Sequence, residues 1–143
     1  MIPSISHCFA FSAKKSNPAL SAMKTFRIRQ TAYEVHVYHG HGYLEKIYEN
    51  ALANRLRKKG IKVEQQHPIT VFDEDGAVLG EYIADLLVED VLIIELKAAK
   101  ALALEHEAQI LGYLKATGIL HGLLINFGSF RFEIKKYIRT PGR

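Results

Sequence analysis

The sequence predicts a single α/β domain in which two helical stretches precede a run of strands and a third helix lies among the later strands. Three observations carry this expectation. The chain has 143 residues, enough for one domain with a single core and too few for two of ordinary size. Its apolar residues recur at three- and four-residue steps as far as Gly60 and fall into short strand-like runs beyond it. Composition is that of an ordinary globular chain, 48% hydrophobic and 24% charged, which excludes a fibrous or wholly disordered protein. No apolar run approaches the roughly 18 residues that a membrane helix needs, so a soluble protein with no membrane partner is expected.

Each element follows from its local pattern. Residues 1–22 are rich in serine and small side chains, carry charge only at Lys14 and Lys15, and lack apolar periodicity; they read as a disordered extension ahead of a domain spanning 23–143. A secretory signal would need a basic start followed by a longer apolar stretch, and here the order is wrong. The single cysteine, Cys8, rules out an intramolecular disulfide and a cysteine zinc cage, and it fits a reducing cytoplasm. Between Phe26 and His39, Ile28, Ala32, Val35 and Tyr38 mark an amphipathic helix, interrupted by Gly40 and Gly42. The stripe Leu44, Ile47, Tyr48, Ala51, Leu52 and Leu56 marks a stronger one over 43–59, closed by Gly60.

Beyond Gly60 the chain reads as strands. Ile61–Phe72 is strand-like, with Pro68 pointing to an edge or a bulge, and Asp73-Glu74-Asp75-Gly76 turns it into the next strand. These aspartates lack the downstream oxygen ligands of a calcium loop and are read as turn formers. Strands are expected over 78–88 and 91–96, separated by the short acidic turn Glu89-Asp90, a helix over 104–117 stopped by Gly118, and strands over 123–127 and 131–138, the last anchored by Phe132, Ile134 and Tyr137.

Net charge is +4, but residues 1–30 hold five basic residues and no acid, which leaves 14 basic and 15 acidic side chains in the other 113 residues. The folded part is therefore nearly neutral, and overall charge is weak support for a nucleic-acid partner. The cluster Arg55, Arg57, Lys58, Lys59 and Lys62 reads first as cations favoured at a helix C-terminus and second as a phosphate contact.

The chemistry lies in the central hairpin. Asp85 is embedded in the apolar run Ile83–Val88, and Glu95 and Lys97 end the run Val91–Lys97; ionised groups so placed are costly unless paired or metal-bound. Glu95 and Lys97, two apart on a strand, share one face. Asp85 joins them only if pairing sets it opposite Glu95, which needs an odd-length connection such as Glu89-Asp90-Val91 or a bulge; a two-residue turn would place the two acids on opposite faces. Two carboxylates and an amine on one face suit a hard cation and a water nucleophile, the acids holding Mg²⁺ and the lysine acting on the water or the developing charge. A buried ion pair is the competing reading. Gln109 and Tyr113, four apart, share a face of the following helix, and Glu45 stands at the edge of the earlier apolar stripe, placed to project toward the sheet.

Gly42-Tyr43-Leu44-Glu45-Lys46-Ile47-Tyr48 matches the Gly-x-x-Glu-x-x-Tyr signature, and five further blocks follow in order: Val63–Gln66, Gly80–Asp85, Ile94–Ala98, Glu105–Gln109 and Gly122–Gly128. Over roughly residues 25–138 the chain thus resembles the GxxExxY protein family of the PD-(D/E)XK nuclease-like superfamily. That resemblance implies a restriction-endonuclease-like core, a central mixed sheet with helices before and after its central strands. It implies Asp85 and Glu95 as metal ligands for Mg²⁺ or Mn²⁺, the Leu96 carbonyl as a third, Lys97 as the catalytic lysine, Glu45 as an upstream acid, and Gln109 with Tyr113 as the helix pair of exonuclease-type members. One departure is His39-Gly40-His41-Gly42, where similar proteins read Leu-Gly-Pro-Gly. With His36 it brings three histidines close in sequence, read as a solvated loop because no partner ligands are spaced nearby. His67, His106 and His121 are given no role.

The function expected is a metal-dependent nuclease acting on DNA or RNA. The alternatives are a catalytically inactive nuclease-fold module that binds protein or nucleic acid, and a metal-dependent hydrolase of a smaller phosphorylated substrate. A homodimer is expected, because the last strand is a candidate uncovered edge.

Overall fold

Among the described residues, five strands form one mixed sheet whose spatial order is their chain order, and three helices cover its two faces. The computed structural model describes residues 18–140. Its elements are α1 (Pro18–His39), α2 (Glu45–Lys58), β1 (Val63–Phe72), β2 (Val78–Val88), β3 (Leu92–Lys97), α3 (Leu104–Thr117), β4 (His121–Asn126) and β5 (Glu133–Ile138). β1, β2 and β3 run antiparallel in turn, β3 and β4 are parallel across the α3 crossover, and β5 returns antiparallel to β4. A mixed sheet of this kind is what the sequence led us to expect. None of the described helices is long and apolar enough to cross a membrane.

α1 begins at Pro18, ahead of the boundary at residue 23, so residues 18–22 are helical; residues 1–17 lie outside the described residues. Its buried face is Ile28, Ala32 and Val35 as the spacing predicts, continued by His36; Tyr38 is instead exposed, with the Arg55 guanidinium 5.5 Å from its ring centre. α2 buries Tyr48, Leu52, Ala53 and Leu56, whereas Leu44 and Ile47, expected in its stripe, are exposed at 76% and 43% because the helix starts only at Glu45 and turns its first residues toward solvent. The acidic turn after β1 is held by Asp73 and Asp75 side chains that accept main-chain N–H groups of Glu74 and Ala77, with Gly76 at φ +89°. It is a turn built by its aspartates.

Two apolar clusters lie on opposite faces of the sheet. One packs α1 and α2 against Val63, Leu86, Val88, Leu92, Ile94, Leu96, Leu123 and Ile125; the other packs α3 against Ile69, Ala84, Leu87 and Ile93. Residues two apart on a strand should share a face. Yet Ala84 and Leu86 fall on opposite sides, and so do Val63 and Ile69. The β1–β2 ribbon changes face where Gln66, at φ +56°, stands between the paired residues Gln65 and His67. That register sets Gln66 across from Asp85. A left-handed backbone at a residue other than glycine costs about 1 kcal/mol or more and is kept only where surroundings impose it. Strain and irregularity therefore meet beside the site.

Candidate active site

The β2–β3 connection decides whether the carboxylates meet. Val88 pairs with Leu92, so the strand begins one residue later than expected and three residues rather than two, Glu89, Asp90 and Val91, make the turn, with Glu89 and Asp90 at φ +52° and +60° and the Val91 N–H bonded to the Val88 carbonyl. Two successive left-handed residues are the signature of the hairpin turn whose twist matches that of the strands. Because Leu86 pairs with Ile94, the same register carries Asp85 opposite Glu95. The ordinary ladder ends there, and side chains take over. The Asp85 N–H donates to Glu95 Oε1 at 2.9 Å, and the Leu96 N–H donates to Asp85 Oδ2 at 2.8 Å. The Leu96 N–H faces β2, and on a strand its carbonyl faces the same way, toward Asp85.

Lys97 shares the α3 side with Glu95. Its Nζ donates to Gln109 Oε1 at 2.8 Å and lies 3.9 Å from Glu95 Oε2, while Gln109 Nε2 donates to the Tyr113 hydroxyl at 2.9 Å. The four-residue spacing on α3 thus produces one continuous chain from β3 to the helix. Beyond Lys97 the segment is clamped by β4. Buried Asn126 accepts from the Ala99 N–H at 3.0 Å and donates to the Ala99 carbonyl at 2.9 Å, and a Cβ on Gly128 would lie 2.3 Å from the Ala98 and Ala99 backbone. Only glycine fits there.

The Gly-x-x-Glu-x-x-Tyr motif works through its tyrosine. Tyr48 is fully buried, stacks on Phe127 with ring centres 4.8 Å apart, donates to the Gly40 carbonyl at 2.7 Å and accepts from the Tyr43 N–H at 3.0 Å. It ties down the loop that precedes Glu45. Glu45 stands at the solvent edge of the site, and its carboxyl pKa is pushed up by partial burial and then by the charge of Asp85.

Glu95 is 3% exposed, and burial followed by the charge of Asp85 pushes its pKa up to about 8. Burial also raises Asp85, against the Leu96 hydrogen bond, which lowers it. Tyr113 is pushed up to about 12 by burial and by the charge of Glu95, so its hydroxyl stays protonated. Fully ionised, the two carboxyls would carry more negative charge than their donors compensate, which is why Glu95 holds its proton. Such an oxygen set suits a hard divalent cation, although among the described residues no group of three or more His, Cys, Asp or Glu side chains could hold an ion in this arrangement. The donors that fit are two carboxylates and a main-chain carbonyl.

Sequence reasoning missed Glu49. It lies four residues after Glu45, a spacing that could have flagged it, and is 3% exposed. Gln65 Nε2 and Gln66 Nε2 both donate to it at 2.6 Å, and Lys46 Nζ at 2.9 Å. Neighbouring strand residues normally point to opposite faces; the left-handed Gln66 is what lets both glutamines reach one carboxylate. The three sequence-adjacent histidines do not converge. His36 packs against Phe127 and Phe132 with Nε2 2.9 Å from the Ser129 carbonyl, His39 meets the rings of Tyr38 and Tyr43, and His41 meets that of Phe130. Of the basic cluster, Arg57 donates to Gln65 and the Val63 carbonyl, Lys59 to Thr31, and Lys62 pairs with Asp90 at 2.9 Å. These cations are largely engaged within the fold.

Comparison with known proteins accords with this fold. The crystal structure of SSO0001 is similar at 18% sequence identity with a TM-score of 0.57, covering 77% of this chain; this chain spans 57% of that one's length. At that identity the likeness concerns the fold alone. No curated protein matches the chain. The family model of the PD-(D/E)XK nuclease superfamily matches residues 22–139, and the chain belongs to that superfamily.

Proposed function

We propose that the protein is a divalent-metal-dependent phosphodiester hydrolase of the GxxExxY kind, acting on DNA or RNA with Mg²⁺ or Mn²⁺. The observation that carries this reading is the Asp85–Glu95 pair, two carboxyls locked together through main-chain N–H groups beside a lysine that α3 holds in place. Asp85, Glu95 and the Leu96 carbonyl are the groups that would hold the cation. When bound, it would supply charge neutralisation at the phosphate and a more acidic water. Lys97 offers its ammonium to the charge that develops on the phosphate, and Gln109 with Tyr113 fixes where that ammonium sits. Glu45, at the solvent edge with a raised pKa, is suited to hold or release a proton near Asp85.

Titration with Mn²⁺ of wild type and Glu95→Ala, read as thermal stabilisation and as cleavage of single- and double-stranded DNA and RNA at low salt, tests the reading. Metal-dependent stabilisation and cleavage in wild type alone support it. A wild type that neither binds Mn²⁺ nor cleaves leaves a nuclease-fold binding module, a reading favoured by the fact that both carboxyls already accept main-chain hydrogen bonds. The same proposal places the protein in a reducing cytoplasm and pairs two copies through β5, which ends the sheet. A 16.1 kDa species by light scattering at high concentration would rule out that dimer.

A further inference from the structure

A groove of about 410 Å³ opens beside the Lys97–Gln109–Tyr113 chain, between β2 and α3. Tyr82 forms one wall. It is 55% exposed, and its ring centre lies 5.5 Å from that of Tyr113 at an angle of 45°, leaving an aromatic surface open to solvent. Ala108 and Gly112 line the groove on α3, and a Cβ built on Gly112 would meet nothing within 4 Å. Space for a flat ring is therefore present. The lining also holds a donor and an acceptor within the groove. His106 Nδ1 accepts the Ala103 N–H at 3.0 Å, which in the neutral ring puts the proton on Nε2 as a donor, and Glu105 supplies an acceptor. Neither lysine nor arginine lines the groove, so it offers a phosphate no cation, whereas the Lys97 ammonium, bonded to Gln109 of the groove wall, lies just beyond it.

We infer that this groove takes an unpaired nucleobase, stacked on Tyr82, and that the preferred substrate is single-stranded nucleic acid whose adjoining phosphate is thereby presented to Lys97. The inference rests on the hydrolase reading for that phosphate, but the base site itself does not need turnover. Aromatic platforms bind bases irrespective of sequence, and a base buried in a duplex cannot reach one.

The test measures binding of a fluorescein-labelled mixed-sequence single strand, and of its duplex, to wild type, Tyr82→Phe, Tyr82→Ala and Gly112→Leu in chelator, with cleavage in Mn²⁺ followed in parallel. Tyr82→Ala is expected to weaken single-strand binding by roughly 10-fold, with Tyr82→Phe close to wild type. Gly112→Leu fills the groove and should weaken binding similarly without lowering the melting temperature, since leucine is the better helix former. Duplex binding should be weak and unchanged throughout. If wild type cleaves but single-strand binding and KM are the same in all four proteins, the base site is refuted while the hydrolase reading survives. If single strands bind through Tyr82 and nothing is cleaved, the base site stands and the hydrolase reading falls. A nucleoside monophosphate that competes as strongly as the strand would overturn the choice of a polymeric substrate.

Discussion

Glu49 and Glu95 are equally buried, each 3% exposed, on elements that face one another, yet they are partnered in opposite ways. Glu49 receives two glutamine amides and a lysine at 2.6–2.9 Å, all from this chain. Glu95 receives one main-chain N–H at 2.9 Å, sees its lysine only at 3.9 Å, and feels the charges of Asp85 and Glu45. Burial alone therefore does not identify a functional carboxylate. What separates the two is compensation: a buried acid closed by its own chain is a strut, and one left short of donors is poised for a proton or a cation from outside.

The comparison breaks most sharply at Lys97. On the proposed hydrolase reading Lys97 acts on the transition state, so in Lys97→Ala cleavage should fall by roughly 10²–10³-fold while Mn²⁺-induced stabilisation persists; loss of both together would make Lys97 structural. Next in size is the strut. Glu49→Ala strands two glutamine amides and the strained Gln66, and should cost about 2–4 kcal/mol in denaturant unfolding. Glu95→Gln should leave the metal-free fold as stable or more so, yet abolish stabilisation by Mn²⁺. If the two substitutions cost the same, Glu95 is a strut as well.

In the unfolded chain Glu95 loses its proton near 4.5, whereas in the fold it keeps it to about 8. Between those values the folded state binds more protons, so the metal-free protein should lose stability as pH rises through the window, by at most roughly 1.4 kcal/mol per pH unit from this group. Glu95→Gln should flatten that slope in thermal melts, and Mn²⁺ affinity of the wild type should climb through the same range because metal and proton compete for the carboxylate. A slope unchanged by Glu95→Gln would assign it to other groups. The smallest effect is expected at the N-terminus. Thr25 is the first buried residue described and Met23 is 65% exposed, so a chain that begins at Met23 should melt within a few degrees of the full chain; a larger drop would mean that the removed segment is packed.

Much of the site was legible because strand geometry leaves few choices. Glu95 and Lys97 share a face through the two-residue period, and once Asp85 is required opposite Glu95 only an odd connection serves, which is the Glu89-Asp90-Val91 turn found. Gln109 and Tyr113 followed in the same way from the four-residue step of a helix. The extent of the apolar faces was less legible. Leu44, Ile47 and Tyr38 fit their helical stripes by spacing, but helix ends and neighbours decide which stripe residues are covered, and these three are not.

By itself, then, the sequence determined the elements, the shared face of Glu95 and Lys97 and that of Gln109 and Tyr113, because those depend on local periods; the register that sets Asp85 opposite Glu95 and the contact of Lys97 with Gln109 came with the fold. Tertiary structure alone decided that Gln66 adopts a left-handed backbone, that the β1–β2 ribbon changes face across from Asp85, and that Glu49 is closed by Gln65 and Gln66, 16 and 17 residues away. It also decided the groove between Tyr82 and α3. The physical reason is the same in each case: a strained residue or an open surface is set by the sum of distant contacts around it, and no local spacing encodes that sum.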